Sequence, residues 1–453
     1  MPTLTPLQME IANASLHTSL FVHGPASCGK TTVGVARLDT LLDRGIPAES
    51  ILILTPQRTL QQPYLKRLRA RLQDAGGTPT LATFGGIARR MCDLFWPLAA
   101  EVAGFAHPER PPVFLTLETA QYFMARLTRP LIEEQGLFES VSIDRNRLYA
   151  QILDNLNKAA AVGFPYTEIG TRLDAAWHGD PAQRRVYADV QTCATRFRQY
   201  CLEHNLLDFS LQLEIFCQIL WHEPLVRHYL ISSYRHLIYD NLEEDIPRAH
   251  DLVSEWLPEF DSALLIYDEG GGYRRFLGAD PESAWQLQDL CHTSLELRES
   301  FTIPAQVISL AHGLVSVLGG EASLPLPLPA TQARAFSFLT ARSYPELLDA
   351  ICDQIQHLVF EEGIPASEIV VLSPYLSDAL RFSLMRRLEE AGAARSLSTS
   401  AFSFIAGRTC HTVSTHFGST GSPGLEDSAL RVCRGLCFHA CLGNGLGARS
   451  SVD

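Results

Sequence analysis

The sequence predicts an α/β fold: a parallel sheet interrupted by a helical insertion and followed by a second, truncated α/β unit. Three observations predict it. Short apolar runs alternate with helix-patterned segments through the first hundred residues, and a glycine-bearing loop, residues 24–31, joins the first such strand to the first such helix. Strand signals then fade between about Pro97 and Tyr234 and return beyond it. Strands that alternate with helices form parallel sheets whose ligand sites lie at the strands' carboxyl ends.

The elements follow in order. Ser19-Leu20-Phe21-Val22-His23 reads as a buried strand, and Thr31 to Leu42 carries Val33, Val35, Leu38, Leu41 and Leu42 at helical spacing. Ile51-Leu52-Ile53-Leu54 is a second buried strand, and Leu60 to Leu72 a helix bearing Lys66, Arg67, Arg69 and Arg71. Helical patterns then occupy Thr116–Leu127, Arg147–Ala161, Ala182–Glu203 and Leu211–Trp221. Strand-like runs return at Leu237–Tyr239 and Ala263–Tyr267. A proline-alternating stretch, Leu324–Pro329, resembles a linker. After it, strands at Ala335–Leu339 and Ile369–Leu372 with a helix at Tyr344–Phe360 begin another α/β unit. The expected segmentation is 1–100 and 235–292 for the first α/β domain, 101–234 for the helical insertion, 293–392 for the partial second domain and 393–453 for an atypical tail. In that tail Ser, Gly, Thr, Cys and His dominate and periodicity is lost, as a truncation or shifted reading frame would produce.

Composition narrows the function classes. The 453 residues are 46% hydrophobic and 19% charged, enough to bury sizeable cores. The net charge of −13 argues against indiscriminate polyanion binding, while leaving room for a local basic groove with stacking aromatics. No stretch approaches the ~18 apolar residues of a membrane span, and no secretory leader is visible, so a cytoplasmic chain without membrane partners is expected. Cys433, Cys437, His439 and Cys441 crowd the tail, but evenly spaced Cys-x-x-x-Cys is not the usual zinc spacing.

The chemistry concentrates in Gly24-Pro25-Ala26-Ser27-Cys28-Gly29-Lys30-Thr31, a full G-x-x-x-x-G-K-T followed by Thr32. Glycines let such a backbone curl around phosphates so that its N–H groups and the next helix's N-terminus face the negative charge. Lys30 is placed to neutralise β and γ phosphates and Thr31 to ligate Mg²⁺. The position between a strand and a helix is the context that confirms the phosphate loop (P-loop) of an NTPase.

The surroundings extend the pattern. Leu4-Thr5-Pro6-Leu7-Gln8 precedes the loop; Ile51 to Arg58, Thr80 to Gly86 and Leu206-Leu207-Asp208-Phe209 follow it. In this order they resemble the UvrD/Rep-type superfamily 1 DNA helicases over roughly residues 4 to 392. The resemblance implies that Gln8 reads adenine, that Arg37 is a further basic residue near the nucleotide, and that Thr55, Thr83 and Phe84 touch single-stranded DNA. It also implies a RecA-like sheet, ATP and Mg²⁺ as cofactors, a DNA-repair setting and a helical region matching the family's inserted subdomain.

Several motifs depart from the family. In His236 to Pro247, Asp240 matches the Mg²⁺-holding Asp, yet Asn241 stands where the catalytic Glu belongs, and Asn cannot take a proton. Glu243 or Glu244 is the substitute proton acceptor to test. In Asp268 to Asp280, Gly271 replaces a γ-phosphate-sensing Gln and Leu277 an Arg, while Tyr273, Phe276 and Trp285 remain available for stacking on bases. Thr302 takes the place of another Arg. Losing one such arginine costs ~10³–10⁵ in rate. Two readings follow: an ATP-driven translocase or helicase with impaired chemistry, its missing half supplied by a partner chain, or a degenerate nucleotide- and DNA-binding module without helicase activity. An unrelated phosphate-loop kinase or GTPase would leave Gln8, Thr83-Phe84 and Leu207-Asp208-Phe209 unexplained.

Overall fold

The computed structural model describes residues 3–71, 77–179, 181, 184–300, 302–318, 337–373 and 377–390. The Leu324–Pro329 stretch and the tail with its Cys and His residues lie outside the described residues.

The first unit, residues 1–301, is built on a six-stranded sheet. Its strands are β1 (Ser19–Gly24), β2 (Ile51–Leu54), β3 (Thr80–Ala82), β6 (His236–Tyr239), β7 (Ser262–Asp268) and β8 (Thr293–Glu296), in the order β3-β2-β6-β7-β1-β8. Every pairing is parallel. A separate two-stranded parallel ladder, β4 (Val113–Phe114) with β5 (Leu206–Leu207), ties the ends of the helical region together. Two-residue strands give too short an apolar run to be seen in sequence.

The central strands are buried on both faces, which is why they read as unbroken apolar runs and not as alternation. Leu20, Val22, Ile51, Ile53, Ile238, Leu264 and Ile266 face one core with the helices α1 (Pro6–Ala12) and α2 (Lys30–Asp43). Phe21, Leu52, Leu54, Tyr239 and Leu265 face the other, and that core runs on without a break into the helical region through Ile152, Phe197 and Phe216. The insertion therefore shares its hydrophobic core with the sheet. Each fully buried side chain of this size contributes roughly 1.5–3 kcal/mol, so the sheet and insertion stabilise one another.

Expected helices form at Lys30–Asp43, Arg145–Val162, Arg184–Glu203 and Phe209–Gln218 with small changes of boundary, while the one expected to end at Leu127 runs on as Leu117–Gln135. The basic helix α3 (Gln62–Arg71) opens with a 3₁₀ turn at Arg58–Gln61. Two features correct the sequence reading. β8 pairs with β1, so Thr293–Glu296 belongs to the first sheet and not to the second unit. Residues 337–339 and 369–372 form no strand. A strand exists only by pairing its backbone groups with a neighbour; here Ser373 alone among the described residues makes a single bridge, and the longer described elements of the second unit are helices. It packs Leu348, Cys352 and Ile355 against Leu384 and Leu388. Among the described residues no helix is long and apolar enough to cross a membrane.

Candidate nucleotide and nucleic-acid sites

The phosphate loop sits at the carboxyl end of β1, between its last residue and the first turn of α2. Its path requires glycine twice. Gly29 has φ 85° and a Cβ there would lie 2.6 Å from Gln8 Nε2; at Gly24 (φ 152°) a Cβ would lie 2.1 Å from the Leu297 carbonyl oxygen. Ser27 also adopts a positive φ, 65°. The Lys30 ammonium lies within the loop, donating to the carbonyls of Gly24 (2.8 Å) and Pro25 (2.5 Å) and standing 3.4 Å from Asp268 Oδ1. The Cys28 thiol donates to the Pro25 carbonyl at 3.0 Å, and burial pushes its pKa up.

Gln8 is tied to this loop from outside. Thr5 and Gln8 form a reciprocal cap on α1: the Gln8 N–H donates to Thr5 Oγ1 and the Thr5 N–H to Gln8 Oε1. The same amide's Nε2 donates to the Cys28 carbonyl at 3.1 Å. One N–H of that amide is left over, beside Gly29.

Asp240, at the end of β6, is fully buried. The Tyr64 hydroxyl donates to its Oδ2 at 2.9 Å, and Thr31, the Asn241 N–H and the Lys30 charge also favour its ionised form. Burial outweighs them and raises its pKa. Its Oδ1 has no hydrogen bond among the described residues. A buried acceptor without a partner costs free energy, and a hard cation beside Thr31 would satisfy it. The donor set therefore fits Mg²⁺, which Thr31 and Asp240 would hold. Thr32 lies one residue further along the first turn of α2.

The two candidate proton acceptors differ. Glu244 is committed: its Oε1 accepts from the N–H groups of Gly272 (3.1 Å) and Tyr273 (3.0 Å), and its Oε2 from Arg274 N–H (3.1 Å). It clamps a turn. Glu243 is 1% exposed and accepts from Asp268 N–H at 2.9 Å, and burial, aided by the Asp268 charge, pushes its pKa up to about 8. Asn241 is left-handed, φ 62° and ψ 47°, starting the 3₁₀ turn Leu242–Glu244 that carries both acids. A cavity of about 240 Å³ joins Ala26 of the loop to Asn241, Glu243, Asp268 and Tyr273.

Four expected contacts lie elsewhere. Arg37 is buried and spends its guanidinium on the carbonyls of Ala12 (3.3 Å), Ala14 (2.6 Å) and Ser15 (2.7 Å), stitching the end of α1 to α2 and away from the phosphate loop. Thr55 is fully buried and its hydroxyl donates to the Gln57 carbonyl at 2.9 Å, so it braces the turn after β2. Tyr273 is 81% exposed but lines the cavity beside the phosphate loop and not the larger groove. Trp285 packs edge-on against Phe21, His23 and Tyr267.

That groove encloses about 470 Å³. Thr83, Phe84, Gly85 and Gly86, the start of α4 (Phe84–Leu94), form part of its wall. Thr83 caps this helix, accepting from Gly86 N–H at 3.1 Å. Phe84 is buried under it, 5.9 Å from the Phe216 ring. Phe209 and Phe276 are half-exposed along the groove, with Arg58, Arg89, Lys158 and Arg274 as its cations. Aromatic faces beside cations suit a single nucleic-acid strand. Sequence reasoning missed Tyr64, Arg89 and Lys158, which lie in three separate chain segments, and gave no role to Arg58 or Arg274 within the motifs that hold them. Phe209 was visible only as part of the Leu206–Phe209 signature.

Comparison with curated proteins gave no match. Residues 4–289, well over half of the chain, match the family model described as UvrD/REP helicase N-terminal domain. With a glycine loop, a buried Asp240 and a six-stranded parallel sheet beneath them, this chain belongs to that family of ATP-dependent DNA helicases.

Proposed function

We propose that this chain binds ATP with Mg²⁺ at the 24–31 loop and a single DNA strand in the groove beside α4, with slow hydrolysis. The observation that carries the reading is the Asp240 carboxylate: one oxygen held by Tyr64, the other unpartnered, next to Thr31 and the Lys30 charge. Bound Mg²⁺ would supply charge neutralisation at the phosphates. The protein's own part is to hold: loop N–H groups and Lys30 for phosphate, Thr31 and Asp240 for the ion, and the spare Gln8 N–H for the adenine edge.

Slow turnover follows from the acids. Asn241 cannot accept a proton, and Glu244 already accepts three backbone hydrogen bonds. Glu243, with its pKa near 8, is mostly protonated at neutral pH. Translocation also needs a second α/β unit closing on the nucleotide, which a partner chain could supply.

Calorimetric titration with a magnesium adenine nucleotide tests the reading. Wild-type protein binds, and Lys30→Ala lowers affinity by about 100-fold or more, the scale of two charge-assisted contacts. Absence of binding by wild-type protein overturns it. Rapid phosphate release that single-stranded DNA stimulates and Lys30→Ala abolishes overturns the slow-turnover half alone.

A further inference from the structure

Glu243 is a buried carboxyl to which the nucleotide reading assigns no contact with the nucleotide. Glu243 is among the residues that line the cavity containing Ala26 of the phosphate loop. Across from it, residue 271 is glycine. A Cβ built there would lie 2.7 Å from Glu243 Cγ and 3.1 Å from its Oε1, so Glu243 fills the space a side chain at 271 would need. Gly272 (φ 83°) seals the other side, where a Cβ would lie 3.3 Å from the Glu243 carbonyl. The carboxyl therefore has a fixed seat at the end of β7, anchored through Asp268 N–H to the same residue whose side chain faces Lys30.

We propose that Glu243 binds nucleotide as a hydrogen-bond donor: its carboxyl O–H donates to a phosphate oxygen lying in that cavity. This rests on the nucleotide reading above.

The surroundings favour the neutral form. Burial is the main cause of the pKa near 8, and the Asp268 charge adds to it; the Asp268 N–H and the Asn241 side chain oppose. Tyr239 from β6 and Tyr267 from β7 face the same carboxyl, both phenols held neutral by burial. Glu244, Glu269 and Arg274 share the cavity, and Lys30 reaches it through Asp268. A triphosphate arriving beside an ionised Glu243 would meet like charge, whereas a protonated one offers it a donor.

The full chain is titrated with the magnesium complex of the β,γ-imido analogue of ATP between about pH 7 and 9.5. The sign is set by linkage: losing the proton removes the donor and adds a negative charge. Wild-type affinity therefore weakens as pH rises through about 8, approaching tenfold per pH unit. Glu243→Gln, a permanent donor of the same shape, shows no break in its profile, and Glu243→Ala binds about tenfold or more weaker at pH 7. Difference infrared spectra supply a readout separate from binding: a protonated-carboxyl band lost between pH 7 and 9.5 in wild-type protein and absent from Glu243→Gln. A break that persists in Glu243→Gln, a missing infrared band, or pH-independent wild-type binding that Lys30→Ala still abolishes overturns this inference alone. No wild-type binding at any pH overturns the nucleotide reading and this inference with it.

Discussion

Arg198 shows what a single residue does beneath the helical region. It is 1% exposed, and its guanidinium donates to Asp208 Oδ1 (3.0 Å), Ser210 Oγ (2.9 Å) and Glu214 Oε1 (3.1 Å). Asp208 in turn caps the helix Phe209–Gln218, accepting from the N–H groups of Ser210 and Leu211. The pair sits directly before Phe209, one wall of the groove. Burial raises the Glu214 pKa while the Arg198 charge lowers it, so two carboxylates depend on one cation. Arg198→Leu leaves both carboxylates without their cation and should destabilise the fold by about 3–5 kcal/mol. Denaturant unfolding monitored by circular dichroism checks this; a change below about 1 kcal/mol would show the network to be dispensable.

At the scale of the element, α4 is the piece that turns a sheet into a binding surface. Thr83 fixes its start, and Ile87, Ala88 and Met91 bury one face against the helical region. The glycines at 85 and 86 keep its first turn low: a Cβ at Gly85 would lie 2.8 Å from the Phe209 ring. Arg89 reaches the groove from the opposite face, its guanidinium 4.6 Å over the Phe114 ring. Arg58 comes from the turn before α3. Each cation that meets a phosphate releases bound counterions, so removing one weakens binding and flattens its salt dependence. Arg58→Ala and Arg89→Ala should each weaken single-stranded DNA binding several-fold and reduce the salt slope by about 0.7. Fluorescence anisotropy at several salt concentrations measures both; an unchanged slope in both variants would remove the groove from consideration.

For the whole molecule, the first unit carries the sheet, the helical region, the loop and the groove. Its two cores are closed by residues no later than Leu297, and β8 completes the edge beside β1. A fragment ending at residue 301 therefore contains every strand of the sheet and every side chain of both cores. It should unfold in one cooperative transition by calorimetry. Cutting at 292 instead removes β8 and Leu297, strips β1 of one parallel neighbour and should lower the melting temperature by several degrees or more. Equal stability for the two fragments would refute the assignment of Thr293–Glu296 to this sheet.

The strands β1, β2, β6 and β7, the phosphate loop and the long helices were legible because each is a local pattern. A doubly buried strand must be apolar throughout, an amphipathic helix must repeat at its own period, and a backbone that wraps phosphate must contain glycine. The family match spans residues 4–289, which hold all of these elements. What the sequence could not specify is where side chains from distant segments meet. Arg37 and Thr55 read as ligand contacts because they flank the right motifs, yet packing turned both toward backbone carbonyls. The neighbouring acids Glu243 and Glu244 were interchangeable in one dimension. In three, one clamps a turn through three N–H groups and the other is sealed beside Gly271 with a raised pKa. Burial and hydrogen-bond partners set protonation, and both are properties of the folded chain alone.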